Sequence, residues 1–210
     1  MIRILIADDH PIVREGLKQI VAETPGMAVT DEASNAQEVL DKVWRNDYDV
    51  VVLDITMPGR GGLDILKQLR GEKPGLPVLI LSIHPEEQYA VRALKAGAAG
   101  YLTKGSAPGE LTAAIRQVSA GKKYISSSLA EKLALHLEND TDKPIHEKLS
   151  DREYQILCMI ASGETIKEIA QGLFLSEKTI STYRSRILEK MSMKSNAELT
   201  HYAIKNRLVD

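Results

Sequence analysis

Short apolar runs alternate with segments of helical periodicity along the first 120 residues of this chain. The runs are rich in aliphatic and β-branched residues and span Ile2–Ala7, Met27–Val29, Val50–Leu53, Val78–Leu81 and Gly100–Leu102. Between them, apolar residues such as Val13, Leu17 and Ile20 recur every three or four positions, which is the period of an amphipathic helix. Five strands alternating with five helices predict βαβ units, and therefore an α/β fold with a five-stranded parallel sheet.

The last third of the chain shows only the helical period. It predicts helices near residues 151–162, 165–172, 176–191 and 195–206. The patterns Ser150…Glu153 and Ser195…Glu198 match the capping box, in which the two side chains satisfy free backbone amides, and Ser176 is a further predicted N-cap. The segment Gly172–Leu175 joins the second and third helices tightly, which predicts a helix-turn-helix in a small all-α domain.

A stretch of different composition separates these two parts. Gly121 interrupts the βα rhythm, Ser128–Leu137 has the period of one more helix, and the residues from Glu138 to Pro144 are polar and turn-forming. We therefore predict a first domain at residues 1–121, a helical and flexible linker at 122–147, and a second domain at 148–210.

Charge is distributed unevenly along the chain. Residues 1–121 carry 13 Lys+Arg and 16 Asp+Glu, whereas residues 148–210 carry 10 and 8, so the two domains are expected to have different partners. No run approaches the roughly 18 apolar residues of a membrane span, and the chain starts directly in strand-like sequence without a leader pattern. The single cysteine, Cys158, excludes an internal disulfide. These features predict a cytoplasmic location and no membrane contact.

Polar residues of different chemistry stand at the ends of four predicted strands. They are Asp8 and Asp9, Asp54, Ser82 and Lys104. The carboxyl ends of parallel strands meet at one edge of the sheet, where open α/β sheets bind ligands. Three carboxylates in one small site repel each other unless a cation lies among them, so the pattern predicts a hard divalent cation, Mg²⁺, bound by oxygens.

This constellation suits the acceptance of a phosphoryl group. Asp54 is the predicted phosphoacceptor, because a short side chain on a strand end is held firmly for in-line attack. Asp8 and Asp9 are the predicted metal carboxylates, Lys104 the cation on the phosphoryl oxygens, and Ser82 a hydroxyl that can turn toward the attached group. Taken singly, such residues are more often turn formers or solvent-facing groups.

Residues 1 to about 121 resemble the receiver domains of two-component response regulators, which have a flavodoxin-like, doubly wound fold. Four segments carry the resemblance: Ala7-Asp-Asp-His10, Leu53-Asp-Ile-Thr-Met-Pro-Gly59, Leu81-Ser82 and Gly100-Tyr-Leu-Thr-Lys104. The resemblance implies phosphotransfer from a sensor histidine kinase to Asp54. It also implies a joint rotamer change of Ser82 and Tyr101, and a metal shell completed by the backbone carbonyl of Thr56.

Two positions depart from the pattern of that family. Gly105 follows Lys104 where a cis proline is common, so we expect the lysine to be aimed less rigidly. Ile83 is larger than the small residue often found there, which predicts restricted access for small phosphodonors.

Thr56 and His84 lie two residues past Asp54 and Ser82. We expect them to border the path of the attacking water and to set the lifetime of the phosphoryl group. A solvent-exposed loop histidine is the alternative interpretation of His84.

Residues 148–210 resemble the LuxR-type helix-turn-helix of the NarL/FixJ group of regulators. The matching segments are Leu149-Ser-Asp-Arg-Glu153, Ile166-Lys-Glu-Ile-Ala170, Leu175-Ser-Glu-Lys-Thr-Ile180 and Ile187-Leu-Glu-Lys-Met191. The resemblance implies that Ser181, Thr182 and Ser185 face base edges in the DNA major groove. It also implies that the helix at 195–206 mediates dimerisation.

The charges of the predicted third helix agree with this resemblance. Short polar side chains let a helix sit deep in the major groove, while cations around it reach phosphates. The predicted DNA-binding residues are Lys178, Thr179, Ser181, Thr182, Tyr183, Arg184, Ser185, Arg186 and Lys190. A solvated cationic face is the alternative, and for Tyr183 partial packing is the alternative.

The sequence therefore predicts a DNA-binding response regulator in which phosphorylation of Asp54 switches homodimerisation and sequence-specific DNA binding. RNA polymerase is a further candidate partner. Apart from phosphotransfer and autodephosphorylation we expect no enzymatic activity. Two other classes remain open: a phosphatase with an aspartyl nucleophile, which Thr56 disfavours because a general acid is usual at that position, and a regulator that acts through protein contacts alone.

Overall fold

The computed structural model describes residues 1–57, 61–126, 129–131 and 144–209. Two compact units make up the chain, Met1–Ala130 and Glu131–Asp210. In the described parts of the chain, no helix is long and apolar enough to cross a membrane.

The first unit is a parallel sheet with helices on both faces. Its elements follow in the order β1 (Ile2–Ala7), α1 (Pro11–Ala22), β2 (Met27–Ala33), α2 (Ala36–Arg45), β3 (Val50–Leu53), α3 (Gly62–Glu72), β4 (Val78–Ser82), α4 (Glu86–Lys95), β5 (Gly100–Thr103) and α5 (Pro108–Ser119). All neighbouring strands are parallel, in the order β2-β1-β3-β4-β5. This confirms the predicted doubly wound α/β fold.

The strands are apolar on both faces because helices cover both. Ile4 and Ile6 of β1 pack in one cluster with Leu17 of α1 and Ile115 of α5. Leu5 points to the opposite face, since side chains alternate along a strand, and it is also fully buried. Continuous apolar runs are what a parallel sheet covered by helices requires.

Strand β2 extends four residues beyond the predicted run, to Ala33. The added residues include Asp31 and Glu32, which are partly exposed. An edge strand pairs on one side only, so polar side chains are compatible with it, and a search for apolar runs misses its end.

Lys122–Ser126, which we call the edge segment, lies against the other outer strand, β5. The Tyr124 amide donates to the carbonyl of Ala99 at 2.8 Å, and its hydroxyl donates to Glu110 Oε1 at 3.0 Å. The Ser126 hydroxyl donates to Glu86 Oε2 of α4 at 2.7 Å. The chain after α5 therefore continues to pack on the sheet.

The helix predicted over Ser128–Leu137 lies mostly outside the described residues. Within it, residues 129–131 are helical, and Leu129 is fully buried. Of the polar stretch from Glu138 to Pro144, only Pro144 is among the described residues.

The second unit is all-helical. A 3-10 helix, Ile145–Lys148, precedes α6 (Asp151–Ala161), α7 (Ile166–Gly172), α8 (Glu177–Met191) and α9 (Asn196–Lys205). The four predicted helices are thus confirmed to within one residue at each end. Ser150 and Glu153 form a complete capping box at α6, and Ser176 caps α8 as predicted. At α9 only half of the predicted capping box forms. Ser195 accepts a hydrogen bond from the Glu198 amide, but the Glu198 carboxylate accepts from the amide of Lys194.

Candidate functional site

The two buried carboxylates of the first unit stand at the ends of adjacent strands. Asp8 follows β1 and Asp54 follows β3, and these strands pair so that Ala7 lies opposite Leu53. The Asp54 amide donates to the Ala7 carbonyl at 2.8 Å, which locks the two strand ends together. Each aspartate is only 1% exposed. Burial of two carboxylates this close together requires a nearby positive charge.

Lys104 provides a positive charge at this position. Its Nζ lies 2.7 Å from Asp8 Oδ2 and 2.8 Å from Asp54 Oδ2. Burial alone would lower the pKa of this ammonium, but the hydrogen bonds to Asp54 and Asp8 outweigh burial, so its pKa is raised above 10.5. The Lys104 amide also donates to the Ser82 carbonyl at 2.7 Å. With Gly105 after it, the lysine thus reaches both carboxylates from a backbone fixed by β4.

The second oxygen of Asp54 is held by Thr56. The backbone amide and the hydroxyl of Thr56 both donate to Asp54 Oδ1, each at 3.0 Å. Behind them, the start of α3 passes close to the same loop: a Cβ on Gly62 would lie 2.4 Å from Ile55 Cα and 2.7 Å from the Asp54 carbonyl oxygen. The phosphoacceptor predicted from sequence is therefore clamped on both carboxylate oxygens and packed from behind.

Asp8, Asp9, His10 and Asp54 form a cluster that could hold a metal ion, with donor atoms within 4.8 Å of one another. Among the described residues, the buried oxygens Asp8 Oδ2 and Asp9 Oδ1 have no well-oriented hydrogen-bond donor. Their close contacts are ionic, to Lys104 Nζ at 2.7 Å and to His10 Nδ1 at 2.9 Å. Buried carboxylate oxygens whose close contacts are ionic fit a hard divalent cation.

His10 follows the two acidic residues in the motif Ala7-Asp-Asp-His10, and the motif alone predicts no role for it. Its amide donates to Asp8 Oδ1 at 2.9 Å, and its Nδ1 lies 3.2 Å from the same oxygen. The position directly after the two acidic residues was the only sequence signal for this contact.

Ser82, at the end of β4, and Tyr101, on β5, both contact His84 in the loop between β4 and α4. The His84 amide donates to Ser82 Oγ at 3.1 Å, and the Tyr101 hydroxyl donates to the His84 carbonyl at 2.8 Å. Ser82 and Tyr101 are fully buried. Both predicted switch residues therefore bond to the same residue of one loop.

The His84 ring packs against Tyr89, with ring centroids 4.7 Å apart. Burial lowers the pKa of His84, Asp54 opposes this effect and Lys104 adds to it. His84 is therefore partly buried, and its pKa depends on the charges of Asp54 and Lys104, unlike the solvent-exposed loop histidine of the alternative interpretation. Ile83, beside it, is 65% exposed.

The helix-turn-helix of the second unit presents the start of α8 to solvent. Its turn passes through Phe174, which has φ 54° and is largely exposed. The hydroxyls of Thr182 and Ser185 donate to backbone carbonyls four residues earlier, at 2.9 and 3.1 Å. The predicted DNA-binding residues that are exposed to solvent are Lys178, Ser181, Thr182, Ser185, Arg186 and Lys190.

Other predicted contact residues of α8 are engaged within the unit. Thr179 is half-buried and bonds to Ser176, and Arg184 Nε donates to Asn196 Oδ1 at 2.6 Å. Lys190 Nζ lies 2.6 Å from Glu153 Oε2, a carboxylate that is 3% exposed. A DNA contact by Lys190 would have to compete with this ion pair.

Two family models match the chain. The response regulator receiver domain matches residues 4–116, and the luxR family of bacterial regulatory proteins matches residues 147–203. Together they span both units.

Named relatives align along nearly the whole chain. Response regulator UvrY of Escherichia coli is 38% identical over 99% of this chain and 96% of its own length. Response regulator GacA of Pseudomonas aeruginosa is 40% identical over 100% and 99%.

Solved structures agree with this alignment. A LuxR-family response regulator from Aurantimonas is 37% identical, with a TM-score of 0.61 over 66% of this chain and 99% of that chain. RcsB from Salmonella enterica, bound to a promoter with the phosphomimetic BeF3⁻, is 26% identical, with a TM-score of 0.61 over 96% and 97%.

Proposed function

The chain belongs to the NarL/FixJ response regulators of two-component systems, which bind DNA and regulate transcription, and we propose that it is switched by a phosphoryl group on Asp54. The observation that carries this proposal is the clamp on Asp54, with Lys104 on one oxygen and Thr56 on the other. Response regulators are generally not classical enzymes, and a lasting modification of one residue suits a switch.

The proposed transfer takes a phosphoryl group from the phosphohistidine of a sensor kinase. A carboxylate oxygen of Asp54 attacks phosphorus, the P–O bond forms as the P–N bond breaks, and the imidazole leaves with the electron pair. Asp8, Asp9, Asp54 and the Thr56 carbonyl would hold Mg²⁺, which neutralises charge on the phosphoryl oxygens when bound. Lys104 already lies 2.8 Å from Asp54 Oδ2, so its ammonium is within reach of a phosphoryl group attached there.

Attachment of the group would be read by the loop between β4 and α4. If the Ser82 hydroxyl turned toward the phosphoryl group, it would lose the hydrogen bond that it accepts from the His84 amide at 3.1 Å. Tyr101 holds the carbonyl of the same residue at 2.8 Å. A rotamer change at Ser82 would therefore act on the residue to which Tyr101 is hydrogen-bonded. Thr56 and His84, close to the acceptor, would set how fast water removes the phosphoryl group by autodephosphorylation.

The proposed output is a homodimer that binds double-stranded DNA through α8. RcsB structures in this fold family contain dimers and DNA. On this chain, Ser181, Thr182 and Ser185 are exposed along α8 beside Lys178 and Arg186. We propose that the receiver spans residues 1–121 and the DNA-binding domain residues 148–210. The proposed linker, residues 122–147, would begin with the edge segment packed on β5. RNA polymerase is a further candidate partner.

Mass spectrometry of the intact protein tests the phosphoacceptor. The full chain is incubated with Mg²⁺ and phosphoramidate, and in parallel with a phosphorylated histidine kinase. We expect one added phosphoryl mass on the wild type, acquired more slowly from phosphoramidate than from the kinase because of Ile83, and none on Asp54→Asn from either donor. The matched control is Asp64→Asn, at an exposed aspartate of α3, which should be labelled normally. Equal labelling of Asp54→Asn and wild type would refute the assignment.

Selection from a random DNA pool tests the output. The full chain, with Mg²⁺ and with or without BeF3⁻, should recover a motif with two half-sites that is enriched only with the phosphoryl mimic. No enrichment in either state, from protein shown to take phosphate on Asp54, would instead favour a regulator that acts through protein contacts.

A further inference from the structure

Arg14, on α1, reaches behind the predicted metal carboxylates. Its Nη1 donates to the backbone carbonyl of Asp8 at 2.7 Å, and its Nε donates to Glu32 Oε2 of β2 at 3.1 Å. The side chain is 17% exposed. A planar guanidinium that spans two acceptors fixes their relative position, which a single ammonium cannot do.

The carboxylate end of this clamp is itself held in place. Glu32 Oε1 also accepts from Lys18 Nζ at 2.8 Å. The pKa of Glu32 is lowered below 4.5, first by the hydrogen bond from Lys18, with burial opposing and Arg14 contributing further. Glu32 is therefore a charged, fixed anchor for the guanidinium.

Asp8 is thereby restrained through its backbone on both sides. Its amide donates to the Ala33 carbonyl of β2 at 3.0 Å, and its carbonyl accepts from Arg14. The peptide that carries this carbonyl links Asp8 to Asp9. Its orientation decides whether the two carboxylates point into one site, as they do with the donor atoms of the metal cluster within 4.8 Å.

We propose that Arg14 is a positioning residue for the metal site: it orients the Asp8–Asp9 peptide so that both carboxylates converge on one cation. The proposal deepens the proposed function and rests on it. None of the atoms of Arg14 takes part in the phosphoryl transfer. Groups that orient metal ligands from outside commonly change metal affinity by roughly tenfold or more.

A charge effect and a positioning effect predict opposite changes in Mg²⁺ affinity when Arg14 is removed. If the guanidinium acted only as a positive charge near the site, its removal would relieve repulsion of Mg²⁺ and tighten binding. If it acts by orienting the carboxylates, its removal weakens binding. The sign of the change therefore separates the two roles.

Isothermal titration of the full chain with MgCl₂ measures this directly, on wild type, Arg14→Ala, Arg14→Lys and Lys42→Ala. We expect Arg14→Ala to bind Mg²⁺ about tenfold more weakly or worse, with Arg14→Lys in between. Lys42→Ala is the matched control: it removes a cation from Asp31, on the same strand as Glu32 and 3.0 Å from Lys42 Nζ, and its affinity should stay within about twofold of wild type. Circular dichroism checks that each variant is folded.

An affinity of Arg14→Ala equal to wild type, or tighter, overturns the proposal. If Arg14→Ala does not fold, Arg14→Lys decides, because wild-type affinity in that variant also overturns it. A wild type that binds no Mg²⁺ and takes no phosphoryl group would instead refute the proposed function on which the inference rests.

Discussion

Alanine in place of Gly62 tests how closely α3 packs behind the phosphoacceptor. The added Cβ would lie 2.4 Å from Ile55 Cα and 2.7 Å from the Asp54 carbonyl oxygen, whereas ordinary contacts are 3.4–4 Å. These atoms are backbone, so no side chain can rotate away. Gly71, near the other end of the same helix, has nothing within 4 Å of its would-be Cβ. The same glycine-to-alanine change therefore adds a methyl group against backbone at one position of α3 and in open space at another.

Alanine at these two positions is expected to change the free energy of unfolding in opposite directions. At Gly71, alanine should stabilise the first unit by up to about 1 kcal/mol, because glycine loses more conformational freedom in a helix. At Gly62 the same gain is outweighed by an overlap of about an ångström with backbone. Overpacking of this kind costs about 1–3 kcal/mol, and more where the surroundings cannot move. We expect a net loss of about 2 kcal/mol for Gly62→Ala.

Urea unfolding of the full chain measures both changes. Trp44, the one tryptophan of the sequence, lies on α2, so its fluorescence follows the first unit. Gly62→Ala should lower the midpoint without a large change in slope, and should also slow phosphoryl uptake, because the Asp54 backbone must shift. Gly71→Ala should raise the midpoint and leave uptake unchanged. Wild-type stability of Gly62→Ala, or equal losses in both variants, would refute the packing inferred here.

Three further outcomes are expected. Glu153→Gln keeps the cap on α6 but loses the ion pair to half-exposed Lys190, so we expect a loss of about 1 kcal/mol at neutral pH, measured by hydrogen exchange of α6 amides. Burial alone would raise the pKa of Glu153, but hydrogen bonds from Lys190 and Ser150 hold it below 4.5. The stabilisation therefore exists above pH 4.5 and is lost as pH falls through the pKa of the folded protein. A stability difference between Glu153→Gln and wild type that persists in acid would contradict this. Arg186→Ala should reduce the salt slope of DNA binding by about one unit, whereas Lys148→Ala, on the 3-10 helix, should not, and equal slopes would remove Arg186 from the interface. Thr56→Ala should change the rate of dephosphorylation, followed by loss of the phosphoryl mass, and an unchanged rate would exclude its hydroxyl from setting the lifetime.

The fold could be predicted from sequence because strands that are buried on both faces have apolar residues at successive positions. The prediction ended too early at β2, where an edge strand carries Asp31 and Glu32. The capping box at Ser150 is confirmed. Thr165 and Glu168 form the same box at α7 with the same spacing, and a pattern limited to serine does not include this pair.

The partners of the site residues were harder to predict. Strand ends at one sheet edge bring Asp8, Asp54 and Lys104 together whatever the side-chain rotamers, so their grouping followed from topology. The contacts of Arg14 with Asp8 and of Lys190 with Glu153 depend on rotamers and on how helices lie in space. No local pattern encodes such long-range pairs.

The edge segment Lys122–Ser126 bears on how the first unit behaves when it is cut from the chain. Without it, β5 would be a bare outer strand, and unpaired amides and carbonyls on such a strand template pairing with other molecules. A fragment ending at residue 121 would lose the Tyr124 amide from the Ala99 carbonyl and uncover Gly100, whose would-be Cβ lies 2.9 Å from Tyr124. A fragment ending at residue 131 keeps this cover. The shorter piece should aggregate at concentrations where the longer one remains in solution, so a few residues after the last receiver helix act as a seal against self-association.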